Sequence, residues 1–223
     1  AFSTSRKAEQ NQVWVGMAKE TAHQLGTPLS SLMAWLDYLK SKGQPDEYIT
    51  EIEKDIARLN TITERFSKIG SSPALKKENL TTVMETAINY IQNRASSKVN
   101  FKLINLQSYD VDAPLNVALF DWVLENLFKN SIDAMSGEGT ITVQITDQQQ
   151  FAYLDISDTG KGISKSKYKT VFKPGYTSKN RGWGLGLSLS KRIVEEYHAG
   201  QIFVKSSDPN KGTTFRIVLR KTV

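Results

Sequence analysis

Two glycine turns in the C-terminal half of the chain hold the residues best suited to chemistry. Asp158-Thr159-Gly160-Lys161-Gly162-Ile163 leads with an acid, and Gly182-Trp183-Gly184-Leu185-Gly186-Leu187 follows about twenty residues later, where a helix is predicted to open. A carboxylate can accept the exocyclic amine of adenine, which guanine lacks at that position, and Gly160 and Gly162 let the base lie against backbone. Glycines at a helix N-terminus let backbone N–H groups approach phosphates, with a favourable helix dipole. Such a pair of turns suits a purine at one end and phosphates at the other. Upstream, Asn126 and Asn130 stand at i and i+4 on a predicted helix and share one face. An amide oxygen is a hard ligand of the kind magnesium takes while bridging phosphates. Two such asparagines are also ordinary polar surface. Asparagine is a poor helix former, however, and Leu124, Leu127, Phe128 and Ile132 make the neighbouring faces apolar, which favours the functional reading. Asp-Thr-Gly likewise makes common turns.

Between the two turns lies Val171-Phe172-Lys173-Pro174-Gly175-Tyr176-Thr177-Ser178-Lys179, which mixes apolar anchors with a turn and a cationic end. The stretch from Gly162 to Gly182 reads as a lid whose lysines suit an anionic ligand. Lys179 is either a phosphate contact or a solvated lysine. The candidate cofactor-binding set is therefore Asn126, Lys129, Asn130, Asp158, Gly160, Gly162, Thr177, Lys179, Gly182, Gly184, Leu185 and Gly186.

The chain that must position these residues has 223 of them, 39% hydrophobic and 23% charged, enough for one large domain or two modest ones. It has no cysteine, which excludes disulfides and thiolate metal sites, and only two histidines, His23 and His198, which argues against a zinc cluster. The formal net charge of +6 comes from interleaved lysines and acids without a long basic block, so no nucleic-acid partner is expected. No run approaches the roughly 20 consecutive apolar residues of a membrane span. The expectation is a cytoplasmic fragment whose membrane contact, if any, comes through an upstream segment.

Residues 1 to about 42 predict one long helix, with apolar or small residues at Val13, Met17, Thr21, Leu25, Leu29, Leu32, Leu36 and Leu39 at helical spacing. Pro28 inside it predicts a bend. After the break at Ser41 to Asp46, a second stripe runs through Ile49, Ile52, Ile56, Leu59, Ile62, Phe66 and Ile69. Two helices with a short connection make an antiparallel hairpin, and a hairpin alone cannot bury both stripes. Pairing two hairpins into a four-helix bundle would, so a homodimer is expected; the alternative is packing on the chain's own second half. The linker is placed at residues 71–73, with a helical domain over 1–70 and a second domain over 74–223. There the pattern predicts a helix from about Leu80 to Ala95 with Asn79 as N-cap. A second helix is predicted from about Pro114 to Met135, with Asp112 near its start, and a third from Leu185 to Tyr197. Strands are predicted around Ile141–Ile145, Ala152–Ile156, Ile202–Val204 and Phe215–Leu219. The predicted fold class is α+β: the helical hairpin followed by a two-layer α/β sandwich.

The order and spacing of these elements resemble the histidine kinase branch of the superfamily that also includes gyrase, heat-shock-90-type chaperones and mismatch-repair ATPases. Asn126 and Asn130 match its N box, Asp158 to Gly162 its first G box, Phe172 its F box and Gly182 to Gly186 its second G box. Gly212-Thr213-Thr214-Phe215 is similar to a late glycine motif that is mainly structural. The resemblance implies a domain binding ATP and magnesium under a flexible lid, with Asn130 as magnesium ligand and Asp158 as adenine partner. Ala22-His23-Gln24-Leu25-Gly26-Thr27-Pro28-Leu29 resembles the H box of sensor histidine kinases, which implies that His23 accepts phosphate and passes it to the aspartate of a response regulator receiver domain. Neutral imidazole, with a pKa near 6.5, keeps a lone pair available at pH 7. His198 fits a helix C-terminus before a glycine cap at Gly200, and a structural role.

Most members of that family carry an acid directly after the histidine; this chain has Gln24. An amide can orient the imidazole but cannot act as a base. Gln24 suffices by orientation, Glu20 stands in as base, or autophosphorylation is slow. Thr27, one turn on, reads either as a residue that orients water for phosphatase activity or as a hydroxyl bonded to its own backbone. The leading expectation is a protein-histidine kinase. One rival is a dimeric ATP-binding scaffold with weak or absent transfer. The other is a clamp ATPase of the gyrase type, where the position of Asn126 usually holds a catalytic glutamate.

Overall fold

The computed structural model describes residues 25, 29–43, 46–68, 74–178 and 184–222. The chain divides into two compact units, Ala1–Pro73 and Ala74–Val223.

In the first unit, helix α1 covers residues 29–41 and helix α2 covers Asp46–Lys68. Leu29, Leu36, Ile49 and Ile56 form a buried cluster. An ion pair between Lys40 and Glu53 lies near the connection. The same two stripes contribute Leu25, Leu32, Leu39, Ile52 and Leu59, all of which are exposed. Each stripe is thus half used: positions seven apart close the hairpin, and the intervening set faces outward. The reading of residues 1–24 as a continuation of α1, the bend at Pro28, and the linker at residues 71–73 lie outside the described residues.

The second unit is a sheet covered on one face by helices. Its elements are β1 (Lys76–Asn79), α3 (Leu80–Gln92), β2 (Val99–Asn105), β3 (Asp112–Leu115), α4 (Val117–Ala134), β4 (Gly139–Gln148), β5 (Phe151–Asp158), α5 (Gly186–Arg192), β6 (Gln201–Asp208) and β7 (Gly212–Arg220). The main sheet has the order β2-β4-β5-β7-β6, and β1 and β3 form a separate pair. Among the described residues only β2 and β4 run parallel; a parallel pair needs a crossover, and α4 lies within it. Alternation sends Ile141, Val143 and Ile145 of β4 and Ala152, Leu154 and Ile156 of β5 into the core, all fully buried. They meet α3 and α4, whose Met84, Leu119, Phe120, Leu124, Leu127 and Phe128 are also fully buried.

Three sequence expectations are corrected here. The helix expected from Pro114 begins at Val117. Asp112–Leu115 is a strand paired with Lys76–Asn79, and Asn116 is the N-cap, its side chain accepting from Leu119 N–H at 3.2 Å. Proline fits there because the edge of a two-stranded pair does not need its missing donor. Second, the helix expected to run from Leu185 to Tyr197 is α-helical only to Arg192 and continues as a π turn over Ile193–Tyr197. Third, Gly200 is not the left-handed cap: Ala199 has φ 47°. Gly200 is required because a Cβ there would sit 2.5 Å from the Val218 carbonyl oxygen of β7. The predicted start of α3 at Leu80 holds, with Asn79 Oδ1 accepting from Thr82 N–H at 3.1 Å.

Candidate nucleotide site

Helix α4 is the common support of the site. Its Asn126 meets the start of α5, its Ser131 meets the end of β5 and its Ala134 meets the turn that follows β5. At 1.5 Å per residue, Asn126 and Ser131 stand roughly 7.5 Å apart along the axis, and each anchors a different cluster.

The first cluster surrounds Asp158, the last residue of β5 and 7% exposed. Its Oδ1 accepts the N–H of Gly160 at 2.9 Å and that of Thr213 at 3.2 Å. Its Oδ2 accepts the hydroxyl of Ser131 at 3.2 Å. Burial pushes the Asp158 carboxyl above the ordinary aspartate value, while the three donors pull against that rise. No charged side chain pairs with it among these contacts. A buried carboxylate held by neutral donors suits a ligand that brings a further N–H.

Sequence reasoning assigned Gly160 and Gly162 to make room for the base. The structure gives them another task. A Cβ on Gly160 would lie 2.7 Å from the Ala134 carbonyl at the end of α4, and Lys161 N–H bonds that carbonyl at 3.0 Å. Gly162, with φ 74°, lies where a Cβ would come within 2.1 Å of the Asp208 carbonyl oxygen. The two glycines let the turn after β5 pack against α4 on one side and the β6–β7 turn on the other. That packing holds Asp158 in place.

The second cluster joins α4 to the start of α5. Asn126 Nδ2 donates to Gly186 O at 3.5 Å and Ser190 Oγ at 3.4 Å, and a Cβ on Gly186 would approach Asn126 Oδ1 at 3.3 Å. Ahead of α5, Gly175 N–H bonds Gly184 O at 3.0 Å, so the Val171–Thr177 segment is tied to Gly184. Phe172 is buried edge-to-face against Phe215 at 6.1 Å. Asn130 and Leu185 are half-buried, whereas Thr177 is exposed. Lys129 is exposed and ion-paired to Glu125 at 2.6 Å on its own helix. The predicted site residues Glu20, His23, Gln24, Thr27, Lys179 and Gly182 lie outside the described residues. Ser131 and Thr213 were absent from the candidate set. Their signal was present as hydroxyl and turn residues flanking two recognised motifs, but strand register brings Thr213 to Asp158 and the packing of α4 brings Ser131 there.

His198 plays the structural role expected. It is buried, its Nδ1 lies 2.9 Å from the Ile193 carbonyl and its Nε2 accepts Asn116 N–H at 3.1 Å. These contacts fix the tautomer with the proton on Nδ1 and tie the π turn to the N-cap of α4. Burial lowers its pKa below the ordinary value, against two opposing backbone bonds.

With this geometry in place, residues 117–223 match the family described as Histidine kinase-, DNA gyrase B-, and HSP90-like ATPase. The second unit therefore carries an ATPase domain of that class. Over its whole length the chain is related to sensor histidine kinases of two-component signalling. It is 29% identical to Sporulation kinase E of Bacillus subtilis (strain 168) across 96% of this chain and 29% of that protein. It is 30% identical to the sensor histidine kinase ZraS of Salmonella typhi across 96% of this chain and 47% of that one. The chain thus spans less than half the length of these two relatives. Among solved structures, full-length ShkA in complex with AMPPNP is similar with a TM-score of 0.72 and 14% identity, over 93% of this chain and 46% of that one. The ThkA histidine kinase in complex with the response regulator TrrA matches with a TM-score of 0.64 and 20% identity, over 99% of this chain and 66% of that chain. These structural likenesses speak to the fold.

Proposed function

We propose that the chain is the core of a protein-histidine kinase that uses ATP and magnesium to phosphorylate His23 and passes the phosphoryl group to a response regulator aspartate. The observation that carries this reading is the buried Asp158 carboxylate, which three neutral donors hold at the end of β5, leaving one of its roughly four acceptor positions untaken among the described residues. In this reading Asp158 holds adenine, and Asn130 is the magnesium ligand. Asn126 keeps the start of α5 against α4, and the turn from Gly182 to Gly186 presents backbone N–H groups to phosphates. ATP supplies the transferred group. The residues supply positioning and charge neutralisation, which are most of what phosphoryl transfer asks of a protein. The neutral imidazole of His23 accepts phosphorus, with Gln24 fixing its tautomer and Glu20 able to take its proton. Asn126 cannot activate water as a glutamate would, which favours transfer over free hydrolysis.

The test is labelling with ATP-Mg. The native chain is expected to gain acid-labile, alkali-stable phosphate, and His23→Ala to gain none; an unlabelled native chain defeats the proposal. Gln24→Glu and Glu20→Gln, measured beside it, assign the base. Gln24 is the one residue that favours a second reading, an ATP-binding scaffold for a regulator: that protein would bind nucleotide yet take no label.

The exposed half of each stripe supports a homodimer. Leu32→Glu with Ile52→Glu should convert dimer to monomer in sedimentation, and an unchanged mass would refute the bundle. A phosphatase role for Thr27 predicts that Thr27→Ala slows dephosphorylation of the cognate regulator about tenfold or more; an unchanged rate removes that role.

A further inference from the structure

An ionised carboxylate has about four acceptor positions. At Asp158, two of them lie on Oδ1 and both are taken by backbone N–H groups, those of Gly160 and Thr213. Because these donors converge on one oxygen, they act as a pivot and leave the setting of Oδ2 to something else. That something is Ser131, whose hydroxyl reaches Oδ2 at 3.2 Å. Ser131 is 1% exposed and sits on α4, so its position is fixed by a packed helix rather than by a loop. It offsets part of the cost of burying charge on Oδ2, where no cation helps. Among the described residues, one acceptor position of Oδ2 then remains.

We propose that Ser131 is a positioning residue that makes the pocket select a purine carrying a 6-amino group, by occupying one side of Oδ2 and aiming its remaining lone pair at a single ligand N–H. The inference rests on the reading of Asp158 as the purine-binding carboxylate and deepens it. A 6-oxo purine would set an acceptor against that lone pair. A purine with hydrogen at position 6 would leave it unpaired. Without the Ser131 hydroxyl, Oδ2 would have two open positions and no fixed direction. The preference for the amine would then fall while contacts to sugar and phosphates stay as they are. Ser131 directly follows Asn130 in α4, so one helix turn serves both the base end and the proposed metal end of the site.

The test compares calorimetric affinities of the full chain for ATP and for purine riboside triphosphate, which differs only in lacking the 6-amino group. The native chain should prefer ATP. Ser131→Ala should weaken ATP about tenfold, the size expected for one lost hydrogen bond to a charged group, and leave the analogue within about twofold. A merely structural role would weaken both nucleotides together, and that result overturns the proposal, as does unchanged ATP affinity in the variant. A native chain that binds both nucleotides equally, or neither, overturns the reading of Asp158 itself and the role of Ser131 with it.

Discussion

Strand β5 carries two buried aspartates three residues apart, and the contrast between them separates structure from function. Asp155 faces the side of the sheet away from the helices. Arg216 grips it through Nε to Oδ1 at 2.6 Å and Nη2 to Oδ2 at 2.7 Å, and Lys205 Nζ joins Oδ2 at 2.7 Å. Burial alone would raise its pKa, but the two cations bring it below the usual carboxylate range. Asp158 points to the opposite face and has only neutral donors, and its pKa is raised. Asp155 is saturated by its own protein; Asp158 is held in place and left one position short. A buried carboxylate without a cation costs stability, and such a cost is characteristic of a binding site.

The largest effect should separate the pair. Asp155→Asn leaves Arg216 and Lys205 without a counter-charge and should destabilise the second unit by about 2–4 kcal/mol in urea melts; nucleotide affinity of the folded fraction should not change. Asp158→Asn should do the reverse. Its amide oxygen can still accept the N–H groups of Gly160 and Thr213, so stability should stay within about 1 kcal/mol of native or rise. ATP affinity should fall at least about 100-fold in the same calorimetric assay. Equal destabilisation by both variants would erase the contrast.

Acid pH sharpens it further. Asp155, with its depressed folded pKa, contributes stability above the unfolded carboxylate pKa that is lost as pH falls through the folded value. Asp158 has the opposite sign, since ionising it in the fold is unfavourable. His198 adds a smaller effect at milder pH. Its folded pKa is lowered, so the unfolded chain binds the proton first and stability falls as pH drops below the ordinary imidazole value of 6.5. In a His23→Ala background, that slope between pH 7 and about 5 should vanish in His198→Gln. A slope that survives would assign it elsewhere.

The motif residues were legible in the sequence because their side chains depart from pattern. An acid before two glycines, amides within an apolar helix and a histidine five residues before a proline all stand out in one dimension. The alternating strands β4, β5 and β7 were legible for the same reason, as was the Asn79 cap. Strand β2 was missed although Val99, Phe101 and Leu103 alternate; the other misses lack a local signature. Strand β1, Lys76-Lys77-Glu78-Asn79, is entirely polar, and it pairs through its backbone with β3. Pro114 reads as a helix start by propensity, yet that pairing overrides it. Ser131 looks like any helix serine until β5 is laid beside α4.

By itself, then, the sequence determined which chemistry is present: the acid and the paired amides, the glycine turns, the histidine and the two apolar stripes, each set by residue type and spacing. Only the tertiary structure decided how the acid is used. Strand register brings Thr213 to one oxygen of Asp158, and the packing of α4 brings Ser131 to the other. The two glycines, which in sequence seemed to welcome a ligand, are consumed by backbone packing. The reason is physical: a hydrogen bond's direction depends on elements distant in the chain, and no local pattern encodes it.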